Sequence, residues 1–474
     1  MLYQLSYTHR DSFAGALGKS TMPTNRHGFG YLRRDTMGSL TSKVVAASAG
    51  RDRVMDAVKA LALLLVITGH ALAWTVTSGG SVINTLDAAP YMFPLTWVLQ
   101  ILPLFFLLAG AGLVRLSGSR DARGYLARLT RLSAPALPLI AVTVVLSVAA
   151  GGLAGPDAAS AAGVLPVQLV WFLGVYLVLV AAAPLLARCS GPWVVGIWLV
   201  SILGVDLLRV NVNELFGWAN LILVWGLFAA IGTRLDRLRA IRPPILAVGV
   251  IAFAAAATGA IVVGPYSPAL ISTDAVEGIS NLAPPTIVLA LVGLAQICLL
   301  LLLWPLLKRA LDHDRLWVPV AIFASRAMEI YLWHMLVFTL AIAAMISLAV
   351  APPALGALWW LQHVAVAAVV LAVVWFAAPG LGRMSRRTAE FLGRISPRAS
   401  LGTAWARALL LVAGITLLCV SESGVGQPIT ARIVILLPYM PLAALVLLAI
   451  VVGLAQKAST SAVVDDVLGR RGAR

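Results

Sequence analysis

From Ala57 to Leu454 the chain is a succession of apolar stretches, most about twenty residues long, divided by short polar segments. A helix needs about 20 consecutive apolar residues to cross the hydrocarbon core of a bilayer. A soluble core would interleave apolar and polar residues at the helix or strand period. Only 11% of the residues are charged, where a soluble domain carries about 25%. Within lipid every backbone polar group must be bonded inside the protein, which favours helices. The sequence therefore predicts an all-α, polytopic transmembrane bundle of about twelve spans.

The expected spans are Ala57–Thr77, Pro94–Leu116, Ala134–Leu153, Val167–Leu186, Trp193–Leu208 and Trp218–Gly232. They continue with Ile245–Val263, Thr286–Leu307, Trp317–Ala349, Leu355–Ala378, Ala406–Val420 and Ile433–Leu454. The ninth is too long for one straight crossing, so a tilt or a break near Arg326 is expected.

A formal net charge of +16 raises the question of nucleic acid. The distribution of the cations answers it. Arg115, Arg120, Arg123, Arg128, Arg131, Arg188, Arg234, Arg237, Arg239 and Arg242 fall in alternate loops. Lys308, Arg309, Arg315, Arg383, Arg386, Arg387, Arg394, Arg398 and Arg407 continue the pattern. The opposite loops hold Asp87, Asp157, Glu214, Asp274, Glu277 and Glu422, with only Arg209 and Arg432 as cations. This alternation is the positive-inside signature. It predicts a multi-pass protein of the inner or plasma membrane with both termini cytoplasmic, and no nucleic-acid partner. Residues 1–50 are polar and basic and lack the apolar core of a signal peptide. They read as a disordered cytoplasmic tail. Within them Gly15–Thr21 hints at a phosphate loop, but Phe13 stands where its first glycine belongs. Cys189, Cys298 and Cys419 show no metal-ligand spacing.

Ionisable groups within the spans are the candidates for chemistry, because such groups are expensive in lipid and usually functional. Lys59 and His70 are eleven positions apart, which puts them within roughly 20° on one helix face and about 16 Å apart along it. Asp56 lies within about 60° of both. A cation at the membrane edge and an imidazole deep in the bilayer suggest a polar track. Snorkelling of Lys59 and a simple interhelical bond from His70 are the plainer readings. The ninth span carries Arg326, Glu329, Tyr331, Trp333 and His334. Arg326 and Glu329 are three apart and are expected to pair. That pair either orients helices, or leaves Glu329 to hold a catalytic imidazole. His334 is either a second acid/base group or a packing histidine.

The stretch from Asp56 through Lys59 to His70, a basic residue, ten apolar residues and His, resembles the first-helix motif of acyltransferase-3 proteins. Further matches follow in order: Pro103–Gly110 with its Phe-Phe pair, Arg128-Leu-Thr-Arg131 before Pro135, Trp171-Phe-Leu173, and Ile330-Tyr-Leu-Trp-His334. The basic residue is Lys where Arg is commoner, and Ala109 replaces a frequent Ser. The resemblance covers roughly Arg51 to Pro379. It implies a ten-helix core over 51–380, a basic cytoplasmic loop over 381–404, two additional helices over 405–456 and a cytoplasmic tail over 457–474.

The resemblance also implies a reaction. An acyl group, acetyl on family grounds, would pass from cytoplasmic acyl-CoA to a hydroxyl of a carbohydrate, glycolipid or small natural product. Acyl-CoA would be a donor substrate, and no metal or prosthetic group is expected. His70 would act as general base, since imidazole titrates near neutral pH, or would carry the acyl group itself. Glu329 and His334 are the other catalytic candidates. Arg128 and Arg131, three apart on one face if helical, would hold the phosphates of CoA through forked donors; membrane anchoring is the competing reading. Asp56, Lys59, Trp171, Arg326 and Tyr331 are assigned to substrate binding. Two rivals remain: a transporter or flippase for a glycolipid or metabolite, and a non-catalytic relative serving as an assembly partner.

Overall fold

The computed structural model describes residues 41–117, 122–271, 278–397, 401–425 and 441–472. The first long helix, α1 (Arg53–Leu72), starts where the Asp52 side chain accepts a hydrogen bond from Met55 N at 3.1 Å, an N-cap ahead of an Ala- and Leu-rich run. A short antiparallel hairpin, β1 (Trp74–Val76) and β2 (Val82–Asn84), follows in the register Trp74↔Asn84. The second span is broken into α2 (Phe93–Leu99) and α3 (Leu102–Ala111). Gln100 lies at the break with ψ 85°, and its carbonyl is bonded by Gln296 Nε2 at 2.6 Å.

Helix α4 (Ala122–Ser133) is amphipathic and carries Arg128 and Arg131; α5 (Ala136–Ala154) is apolar but for the hydroxyls of Thr143 and Ser147. Next come α6 (Pro156–Val164) and α7 (Val170–Ala181), bent by 40° where they join. The chain continues through α8 (Pro192–Asn211), α9 (Asn220–Gly232), α10 (Pro243–Val263) and α11 (Ile287–Leu311). It ends with α12 (Asp314–Ala324), α13 (Ala327–Ser347), α14 (Ala357–Ile395), α15 (Thr403–Ser423) and α16 (Pro441–Gly472).

Among the described residues, ten helices are long and apolar enough to cross a membrane, with joined segments counted together. The bent α6–α7 pair makes eleven, and Ala443–Ser459 within α16 is a shorter apolar helix. The expected ninth span is two helices, because the backbone leaves the helical region at Arg326 (φ −114°, ψ 3°). Three expectations about connecting segments change. The basic segment from 381 is no loop: α14 runs 39 residues and stays helical to Ile395. The tail expected from 457 is helical as far as Gly472. Residues 41–47 are helical rather than a disordered tail, with Val44 packed on Trp317 of α12 and Ser48 accepting from Trp317 Nε1 at 2.9 Å. Residues 1–40, with the Gly15–Thr21 stretch, lie outside the described residues, as do Arg120, Asp274, Glu277, Arg398, Arg432 and the start of the last expected span.

Helix α1 is central and packs against α2, α3, α11, α12, α13 and α14. Helices α8 and α10 are peripheral and turn large apolar side chains such as Trp193, Val200, Ile251 and Val263 outward, as a lipid-facing surface requires. Helix α15 is no loose appendage, since it lies against α7 at glycine–glycine contact. A Cβ built on Gly174 would sit 2.7 Å from the Gly414 carbonyl oxygen, and one on Gly414 2.8 Å from that of Gly174. Small residues at such a crossing let two backbones approach, which is how membrane helices gain packing contacts.

Candidate active site

His70 occupies the last turn of α1 and His334 the second turn of α13. They are 264 positions apart, yet His334 Nε2 lies 3.4 Å from His70 Nδ1 and the ring centroids are 5.4 Å apart. The partners set the protons. His334 Nδ1 faces the carbonyl oxygens of Ile330 at 3.0 Å and Tyr331 at 2.8 Å. Carbonyls only accept, so Nδ1 carries the hydrogen, and the Nε2 of a neutral His334 is an acceptor. His70 Nδ1 therefore donates to it. The remaining nitrogen of His70, Nε2, holds the free lone pair.

His70 forms part of the wall of a cavity of about 130 Å³. Helix α1 supplies one side, from Ala62 to Ala73. Phe105, Trp171 and Phe172 form an aromatic wall, with the Phe105 and Phe172 rings edge to face at 4.7 Å. Tyr331 lines the slot and its hydroxyl donates to the Leu169 carbonyl. Gln100 lines it at the α2–α3 break and donates to the Leu270 carbonyl at 3.0 Å. Ile271 and Leu282, from the segment between α10 and α11, complete it.

The other candidates sit elsewhere. Asp56 and Lys59 lie lower on α1. Lys59, 6% exposed, is 3.4 Å from Asp56 Oδ1, and Arg51 Nε donates to Asp56 Oδ2 at 2.7 Å. Arg326 donates to the Trp375 carbonyl at 3.0 Å and lies 4.1 Å above that indole. Glu329, 3% exposed, is in the first turn of α13. Arg128 and Arg131 diverge: Arg128 Nη2 donates to the Gly112 carbonyl at 2.7 Å, and its Nη1 is buried without a hydrogen-bond partner. Arg131 lines a second cavity of about 260 Å³ between α4, α14 and α16, together with Thr130, Ser385, Arg386, Glu390 and Gln456. Trp171 and Tyr331, read from motifs, both reach the slot with His70.

Sequence reasoning missed Gln100, Ile271 and Leu282. None belongs to a recurring pattern, and Ile271 follows directly on Pro268 and Leu270, which are hydrogen-bonded to Trp97 and Thr96 of α2. Phe105 and Phe172 stood inside quoted motifs, and their aromatic character was the available signal. Comparison with known proteins adds one finding. No curated protein and no solved structure matches the chain. A family model described as an acyltransferase domain, of the acyltransferase-3 type, matches residues 52–379. With the polytopic helical fold, that match makes this chain a member of the acyltransferase-3 family and a multi-pass membrane acyltransferase.

Proposed function

We propose that the protein is an O-acyltransferase that takes a short acyl group from acyl-CoA on the basic, cytoplasmic side of the cell membrane and delivers it to a hydroxyl of a carbohydrate, glycolipid or small natural product. The observation that carries this reading is His70 on the wall of the slot, with the buried His334 hydrogen-bonded behind it. An alcohol is a poor nucleophile until a base takes its proton, and a neutral imidazole with a free Nε2 suits that task. His70 Nε2 accepts the hydroxyl proton as the oxygen attacks the thioester carbonyl. The new C–O bond forms, the C–S bond breaks, and the leaving thiolate takes the proton from His70. His334 is the positioning residue that holds His70 in the required tautomer.

Support for the donor side is electrostatic. CoA is rich in phosphate, and the basic end of the bundle offers a cavity lined by Arg131 and Arg386. Of the Arg-x-x-Arg pair, Arg131 lines that cavity while Arg128 is turned to the Gly112 carbonyl.

The test is His70→Ala. We expect insertion and folding to persist and acyl transfer to fall by about 10²–10⁴, read by mass spectrometry of acylated glycans and lipids from cells with and without the gene. An unchanged product in the variant would remove His70 from the chemistry.

A further inference from the structure

The slot beside His70 is almost wholly apolar. Among its lining residues only His70, Gln100, Trp171 and Tyr331 carry polar side-chain atoms. The Tyr331 hydroxyl is committed to Leu169 and Gln100 Nε2 to Leu270. A sugar placed there would leave several hydroxyls without partners, and burying unpaired polar groups is costly. An acyl chain has no such demand.

From this geometry we infer that the slot is the acyl-chain subsite, sized for a chain of about four to six carbons rather than for acetyl; the inference rests on the acyl-CoA reading above. The cavity holds about 130 Å³. An engineered apolar cavity of about 150 Å³ holds benzene, six carbons. A long fatty chain exceeds that space. Acetyl leaves most of it empty, and an empty apolar cavity forfeits contacts that its lining would otherwise make. Leu99 and Gly69 set the width where α2 faces α1. A Cβ on Gly69 would meet only Leu99 Cδ1, at 3.9 Å, so a side chain there is accommodated and grows into the slot. Helical Gly69 also gains helix propensity when replaced.

The experiment measures the affinity of the purified full-length protein, in detergent, for CoA and for its acetyl, butyryl, pentanoyl, hexanoyl, octanoyl and dodecanoyl thioesters, by calorimetry. Each buried methylene tightens binding by about four-fold. We expect affinity to rise about sixty-fold from acetyl to pentanoyl and to stop rising beyond hexanoyl. Leu99→Ala removes three carbons from the wall and moves the break to chains about two or three carbons longer. Gly69→Leu moves it back toward acetyl. Equal affinity from acetyl onward, unmoved by either variant, overturns the acyl subsite while leaving acyl-CoA as donor. Binding of neither CoA nor any thioester overturns the donor reading itself.

Discussion

Replacing His334 by Leu tests whether this residue acts by holding His70. His334 is fully buried, and its Nε2 is 3.4 Å from His70 Nδ1. Leucine fills similar space and accepts no proton. His70 Nδ1–H then loses this acceptor, and the imidazole is freer to exchange tautomers or rotate. A neutral hydrogen bond contributes about 0.5–1.5 kcal/mol. At 3.4 Å this one is longer than the usual range, which ends near 3.2 Å, so the lower half applies. About 0.5–1 kcal/mol corresponds to a two- to five-fold fall in transfer rate. The Ile330 and Tyr331 carbonyls keep their helical bonds, so little stability is lost. His334→Gln places an amide oxygen near the position of Nε2 and should restore the rate to within about two-fold of wild type. The assay is acyl product per amount of inserted protein, by mass spectrometry. A fall of about 10² or more in the Leu variant, without rescue by Gln, would mean that His334 itself exchanges protons with the reactants. No fall at all would mean that His70 does not depend on it.

Three other outcomes are open to measurement. Gly414→Leu should drive a side chain into the Gly174 carbonyl and destabilise the α7–α15 contact by about 1–3 kcal/mol; an unchanged melting temperature in detergent would show that the two helices part without loss. Arg128→Ala with Arg131→Ala should raise the KM for acyl-CoA several-fold while leaving that for the acceptor near wild type, and equal changes in both would refute the donor assignment. Burial, then the adjacent Asp206 carboxylate, holds the Tyr266 phenol above its ordinary pKa, and its hydroxyl donates to Asp206 at 3.1 Å. A raised folded-state pKa contributes stability below the unfolded value of about 10 and loses it as pH climbs beyond. The melting temperature of wild type should therefore fall more steeply above about pH 10 than that of Tyr266→Phe, and parallel curves would count against the contact.

The membrane class, the helical fold and the family were legible in the sequence because each rests on local properties. Twenty-residue apolar runs report the thickness of the bilayer core, and the short motifs around His70, Arg128, Trp171 and His334 are contiguous. The break at Arg326 was legible for the same reason, as excess length in one run. Tertiary structure alone decided which ionisable groups meet. Lys59 and His70 share a face of α1, yet Lys59 is held by Asp56 while His70 meets an imidazole from α13. Arg128 and Arg131 share a spacing but address different neighbours. The slot needed α1, α2, α3, α7, α13 and the segment before α11 together, and no stretch of sequence encodes a volume. Periodicity fixes the face on which a residue stands. What lies opposite that face depends on how the helices pack, and packing depends on side chains distant in the chain.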